Sequence, residues 1–167
     1  MKKYIFVTNG MARSGKDTFA ALMNEFVPTK KYSSIDYIKE IAKLCGWDGQ
    51  KDEKSRKFLS DLKVLTSQYN DLPFKRIQNQ IDEFNKDEKY NVLLIDIREP
   101  EEIKKLCNTY DSVKTMLIRR NSVKNITSNM ADAGVFDYDY DFIIENNGTI
   151  DELKNTVKEF VRENIRM

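Results

Sequence analysis

A chain of 167 residues that is 40% hydrophobic can bury a core without disulfides or structural metals, so residues 1–167 are expected to form a single domain. Its 28 Lys+Arg against 27 Asp+Glu leave a formal charge of +1, which argues against nucleic acid or an anionic membrane as partner; the absence of histidine removes the commonest general base, Ser-His and Cys-His nucleophiles and most catalytic zinc sites. Cys45 and Cys107 stand far apart, and no apolar run approaches the roughly 20 residues of a membrane span, so a reduced, cytoplasmic protein is expected, as monomer or homodimer.

In chain order, short Ile- and Val-rich runs alternate with segments at helical spacing, the pattern of βα units building a parallel sheet. The first strand is expected over Tyr4 to Thr8, followed by a helix over Thr18 to Phe26. A short strand near Lys31 to Ser33 leads into a helix over Ile35 to Leu44. Two apolar stripes come next, Phe58, Leu59, Leu62, Leu65 and Tyr69, then Phe74, Ile77, Ile81 and Phe84. Pro73 is well placed to open the second of these helices, and together they make an insert over Asp52 to Asn85. Val92 to Ile97 is apolar on both faces, as a central strand covered on both sides should be. Pro100 opens another helix, with Glu101 and Glu102 at the positive end of its dipole. Strands over Lys114 to Ile118 and Asp141 to Ile144 follow, and a helix over Ile150 to Ile165 closes the chain with Ile150, Leu153, Val157, Phe160 and Val161 on one face.

The segment Gly10-Met11-Ala12-Arg13-Ser14-Gly15-Lys16 fits G-x-x-x-x-G-K and falls between the first strand and the first helix. Gly10 and Gly15 let the backbone wrap a phosphate, Ser14 lies within the wrap, successive amides point inward at the helix N-terminus, and Lys16 can bridge the β- and γ-phosphates of ATP. After Lys16 comes Asp17, with a hydroxyl one place later at Thr18. Either can hold Mg²⁺, directly or through its waters.

Asp96 ends an apolar strand, where its carboxylate faces the sheet's carboxyl edge as a second metal-site residue; an N-cap or a bridge to Arg98 is the plainer alternative. Arg98 offers a planar donor fork to an acceptor's phosphate or to a neighbouring carboxylate. Arg13, within the loop, reaches the transferred group or faces solvent. Arg119 and Arg120 directly follow a strand and are candidate cations for transition-state charge. Asn146, Asn147 and Gly148 either form a loop over the adenine or a plain turn. Tyr138 and Tyr140 either stack on a base or cap the core.

The G-K-D-T ending of the loop resembles the phage-type deoxynucleoside monophosphate kinases and animal phosphomevalonate kinase, within the P-loop nucleoside monophosphate kinase-like family. Ser33 to Lys39 resembles that family's segment after the second strand, Arg56 to Leu62 its R-x-x-L-x-x-L helix, Asp96-Ile97-Arg98 its D-x-R, and Asp141 to Gly148 its closing D-x-x-I-x-N-x-G. The resemblance implies a three-layer P-loop NTPase fold with a five-stranded parallel sheet, a helical acceptor-binding insert over 52–85 and a short lid over 119–134. In that lid Lys124 is the sole cation after Arg120. It further implies Lys39 and Arg56 as acceptor-binding residues. The expected reaction is transfer of the γ-phosphoryl group of ATP, with Mg²⁺, to a small phosphorylated acceptor such as a (deoxy)nucleoside monophosphate. A phosphomevalonate-like acceptor is the close alternative, and a non-catalytic ATP-binding regulatory module the more distant one.

Overall fold

A computed structural model describes residues 2–121 and 134–166. Its first strand, β1 (Tyr4–Asn9), leads through the Gly-rich loop into α1 (Lys16–Phe26). Then follow β2 (Thr29–Ser33), α2 (Asp36–Leu44), α3 (Glu53–Asn70), α4 (Leu72–Lys86), β3 (Val92–Asp96), α5 (Pro100–Thr109), β4 (Val113–Arg119), β5 (Phe142–Glu145) and α6 (Ile150–Asn164). The five strands form one parallel sheet in the order β2-β3-β1-β4-β5. All five strands expected from the sequence are present, each with an end moved by a residue or two. β3 lies inside the sheet, between β2 and β1, while the middle place belongs to β1.

The chain divides into two compact units, Met1–Lys31 with Asp87–Met167, and Tyr32–Lys86. In the first, Val92, Leu93, Leu94 and Ile95 are all fully buried, which is what apolar character on both faces of a strand requires. Phe6, Val92, Leu94, Met116, Ile118 and Ile144 pack against Phe19 and Met23 of α1 and Leu153, Val157, Phe160 and Val161 of α6. Phe160 is the hub, edge-on to Phe6 at 5.5 Å and to Phe142 at 5.1 Å between ring centroids. The β1-to-β2 and β3-to-β4 connections step across the sheet in opposite directions. The right-handed rule therefore sets α1 and α5 on opposite faces. Ile150, expected on the apolar face of α6, is exposed in the first turn, and the buried stripe begins at Leu153; Thr149 caps that helix, its hydroxyl and the Glu152 side chain forming a reciprocal capping box.

The second unit holds α2, α3 and α4. Helix α4 buries Phe74, Ile77, Ile81 and Phe84, as its period predicts. Helix α3 does not follow the same pattern: its N-cap Asp52 accepts from the Ser55 amide at 2.7 Å, but Ser55 is the helix's buried residue, while Leu65 and Tyr69 of the expected stripe are exposed.

Candidate functional site

The loop after β1 is held open by backbone geometry. Gly10 and Gly15 have φ of 149° and 100°, and Arg13 adopts the left-handed region at 65°, which is uncommon outside glycine. A Cβ on Gly10 would meet the Ile118 carbonyl and lie 2.6 Å from Ser14 Oγ; one on Gly15 would collide with the Asn146 amide. Asn146 is buried and donates from Nδ2 to the Ser14 carbonyl at 2.8 Å, so a residue from the far end of the sheet braces the loop. Asn9, also buried, ties the loop's start: its Oδ1 accepts from the Gly10 amide, and its Nδ2 donates to the Arg98 carbonyl at 3.1 Å and to the Tyr140 hydroxyl at 2.8 Å.

Inside this wrap Ser14 is 1% exposed, and among the described residues its Oγ is the buried side-chain polar atom that no partner satisfies. A buried hydroxyl without a partner is costly, and a ligand atom is the simplest way to satisfy it. Helix α1 begins immediately after, with no side-chain cap at Gly15, so its leading amides are available to an anion. Lys16 folds back over the loop, donating to the carbonyls of Gly10 at 2.6 Å and Met11 at 3.0 Å. Burial, with the nearby Arg98 charge, lowers its ammonium to about 8. An anion in the loop would take over that ammonium.

The two predicted metal-site carboxylates come together. Asp96, at the end of β3, accepts from the Thr8 hydroxyl at Oδ1. At Oδ2 it meets the ammonium of Lys31 at 2.9 Å, and Lys31 also pairs with Asp17 Oδ1 in the first turn of α1. Burial is the largest single influence on Lys31 and opposes its charge, yet the hydrogen bonds to Asp17 and Asp96 outweigh it and hold the ammonium above its usual range. Thr18 is exposed beside them. Sequence reasoning offers Lys31 only as a strand residue. A lysine in a short strand looks solvated, and only the strand order, which places β2 beside β3, brings it to the carboxylates.

At the other side of the loop a cavity of about 250 Å³ is lined by Met11, Ser14, Ile118, Arg119, Arg120 and Phe136, among others. Arg119 pairs there with Glu145, its register partner across β4 and β5, with Nε at 2.8 Å. That contact raises the guanidinium's proton affinity and lowers Glu145's. Asn147 accepts from the Asn121 amide at 2.7 Å and donates to Glu145 at 3.0 Å, and a Cβ on Gly148 would strike the Glu152 side chain. Through these bonds the Asn146 to Gly148 turn braces both the loop after β1 and the start of the segment after β4. Tyr140 donates to the Val135 carbonyl and packs with Met11, Leu117 and Val135, so its ring caps the core, and Tyr138 lies beside it and donates to Cys107 Sγ at 3.8 Å. Cys107 and Cys45 are free thiols.

Of the remaining predicted residues, Arg13 is exposed on the loop, and Arg98 lies close enough to Lys16 to influence it. Lys39 and Arg56 belong to the second unit, where Lys39 pairs with Asp36 at 3.1 Å and Arg56 is exposed on α3. The expected lid falls mostly on residues 122–133, Lys124 included, which lie outside the described residues. Among the described residues no helix is long and apolar enough to cross a membrane, and no group of three or more Cys, Asp or Glu side chains is arranged to hold a metal.

No protein-family model matches the chain, and no curated protein does. Among solved structures, a protein from Thermus thermophilus is similar over 99% of this chain and 100% of its own, at 15% identity and a TM-score of 0.57. A sugar kinase from Janibacter sp. is similar over 96% of this chain and 95% of its own, at 11% identity and a TM-score of 0.55. A protein from Chloroflexus aurantiacus is similar over 99% and 100%, at 12% identity and a TM-score of 0.54. The chain has the P-loop NTPase fold, an α/β architecture with a five-stranded parallel sheet and, among the described residues, six helices.

Proposed function

We propose that this chain is an ATP- and Mg²⁺-dependent small-molecule kinase whose acceptor already carries a phosphate, in the first instance a (deoxy)nucleoside monophosphate. The observation that carries the reading is the loop itself: three left-handed residues, an uncapped helix N-terminus, and a buried, partnerless Ser14 Oγ beside Gly10. Those features fit a polyphosphate tail. The Janibacter protein's description as a sugar kinase agrees with phosphoryl transfer on this fold.

In this reading Gly10, Ser14 and Gly15 and the amides leading into α1 bind the phosphates. Lys16 leaves its two loop carbonyls for phosphate oxygens and offsets the charge that builds during transfer. Asp17 and Asp96, with Thr18 beside them, are the residues that would hold Mg²⁺, whose chemistry when bound is to neutralise and orient the phosphate oxygens. The cavity bordered by Arg119 and Arg120 is the place offered to the base, with Arg119 fixed by Glu145, and Arg13 is the cation offered to the transferred group. Arg98 lies near Lys16 and suits an acceptor phosphate, and Lys39 and Arg56 of the second unit are the further acceptor-binding candidates. A phosphate acceptor is ionised near neutrality and needs no general base, which is consistent with a chain that has no histidine.

The test is a panel of monophosphate acceptors with ADP release as the readout, run beside calorimetry of Mg·ATP binding. Wild type is expected to bind Mg·ATP and to release ADP with nucleoside monophosphates; release with phosphomevalonate alone would move the acceptor to that class. Binding without release for any acceptor would mean a regulatory module, and no binding at all would overturn the reading.

A further inference from the structure

Lys31 has no task in the proposed reaction, although its ammonium meets two carboxylates at the sheet edge. Its side chain is 31% exposed and its ammonium joins Asp17 of α1 to Asp96 of β3, the latter only 14% exposed. Both Asp96 oxygens are engaged: Thr8 donates to one and Lys31 to the other, on the side a cation would approach. A solvated surface pair of one lysine with one carboxylate would carry little meaning. One ammonium shared between two carboxylates from different elements, beside Lys16, is a different arrangement: Asp17 is 93% exposed and holds its end loosely, while the contact with the mostly buried Asp96 is the firm one, because the carboxylate there has little water to screen it.

Resting on the assignment of Asp17 and Asp96 to the metal, we propose that Lys31 is a built-in counter-ion that occupies the place of the divalent cation in the nucleotide-free protein and must withdraw when the metal enters. Both cations need the same oxygens. A divalent ion within bonding distance of Asp96 Oδ2 would lie a few ångströms from the Lys31 ammonium, where like-charge repulsion in a partly buried site is strong. Occupancy is therefore exclusive. Lys31 is a positioning residue: it prevents repulsion between the empty carboxylates and weakens metal binding until nucleotide phosphates contribute their own oxygens.

The experiment titrates Mn²⁺ into nucleotide-free protein and follows the free-ion electron paramagnetic resonance signal, with thermal unfolding in chelator and in millimolar Mn²⁺ as the second readout. Lys31→Met is expected to bind Mn²⁺ about tenfold more tightly than wild type, since losing a charge-assisted hydrogen bond of ordinary strength corresponds to about that ratio. It should melt below wild type in chelator and recover when Mn²⁺ is added. Lys31→Arg keeps the charge and should bind as weakly as wild type. In the Asp96→Asn background the Lys31→Met change should no longer alter Mn²⁺ affinity. Equal Mn²⁺ affinity and equal melting of wild type and Lys31→Met would overturn the proposal, and so would weaker binding by Lys31→Met or tighter binding by Lys31→Arg. None of these readouts requires turnover. Failure of the kinase reading would appear separately, as wild type that takes up no Mg·ATP.

Discussion

The nine residues from Gly10 to Thr18 and the eighteen of α3 meet opposite demands. The loop places three residues at positive φ, leaves no room for a Cβ at either glycine and buries a hydroxyl it does not satisfy. Helix α3 is regular and well capped, yet Val64, Leu65 and Tyr69 are 52%, 63% and 86% exposed. In the loop the shape of the backbone is itself the constraint, so almost any change of residue is felt. In α3 an ordinary backbone carries apolar side chains whose cover the fold does not supply, and the same kind of change should pass unnoticed by stability.

The contrast is sharpest for Lys16→Ala, which removes one side chain and leaves the loop's glycines alone. Turnover is expected to fall on the order of a thousandfold, the scale seen when a preorganised cation or donor is taken from developing charge. Stability should stay within about 1 kcal/mol of wild type by thermal unfolding, because Lys16 is a partly desolvated cation in the free protein. Lost turnover together with lost stability would show that the crossbar to Gly10 and Met11 is structural instead.

A second comparison lies within the helical unit. Ile77 on α4 is fully buried, and Ile77→Ala should cost about 2–5 kcal/mol in urea unfolding, whereas Tyr69→Ser on α3 should stay within about 0.5 kcal/mol. A large loss from Tyr69→Ser would mean that α3 is covered in solution and that the comparison with the loop fails.

Gly15→Ala tests the loop from the backbone side. The new methyl meets the Asn146 amide while the backbone stays at a φ of 100°, so a loss of about 1–3 kcal/mol is expected. Asn146→Ala should relieve part of it, and the double mutant should be less damaged than the sum of the two single changes, which a double-mutant cycle measures.

What the sequence made legible follows the same division. The loop and all five strands could be read because short, continuous Ile- and Val-rich runs and fixed glycines are local signals. α4 could be read because its stripe is truly buried. The stripe on α3 misled, since periodicity shows that a helix will form without showing what will cover it. Lys31 and the Asn146 brace escaped because both depend on strand order: Asn146 reaches Ser14 across 132 residues of sequence, and Lys31 is an ordinary lysine until β2 lies beside β3.

Asp141 gives the smallest expected loss and tests whether the far edge of the sheet depends on such long-range contacts too. It precedes β5 and clasps Thr115 of β4: Oδ2 accepts from the Thr115 amide at 2.8 Å and hydroxyl at 2.9 Å, while the Thr115 hydroxyl accepts from the Asp141 amide at 2.9 Å. Partial burial pushes its carboxyl up, but the Thr115 bonds and the Lys114 charge outweigh it and hold the group below the usual carboxylate range. The folded protein thus binds fewer protons here than the unfolded chain as pH falls through that range. The stabilisation is present above the ordinary carboxylate value and is lost as pH drops through the folded one. Asp141→Asn should cost about 1 kcal/mol at neutral pH, a modest figure because the group is partly in water. The gap from wild type should close under acid, read as converging thermal melts at decreasing pH. A gap that stays constant into strong acid would mean that the clasp works through shape and neutral hydrogen bonds, and that the charge on Asp141 contributes nothing to joining β5 to the sheet.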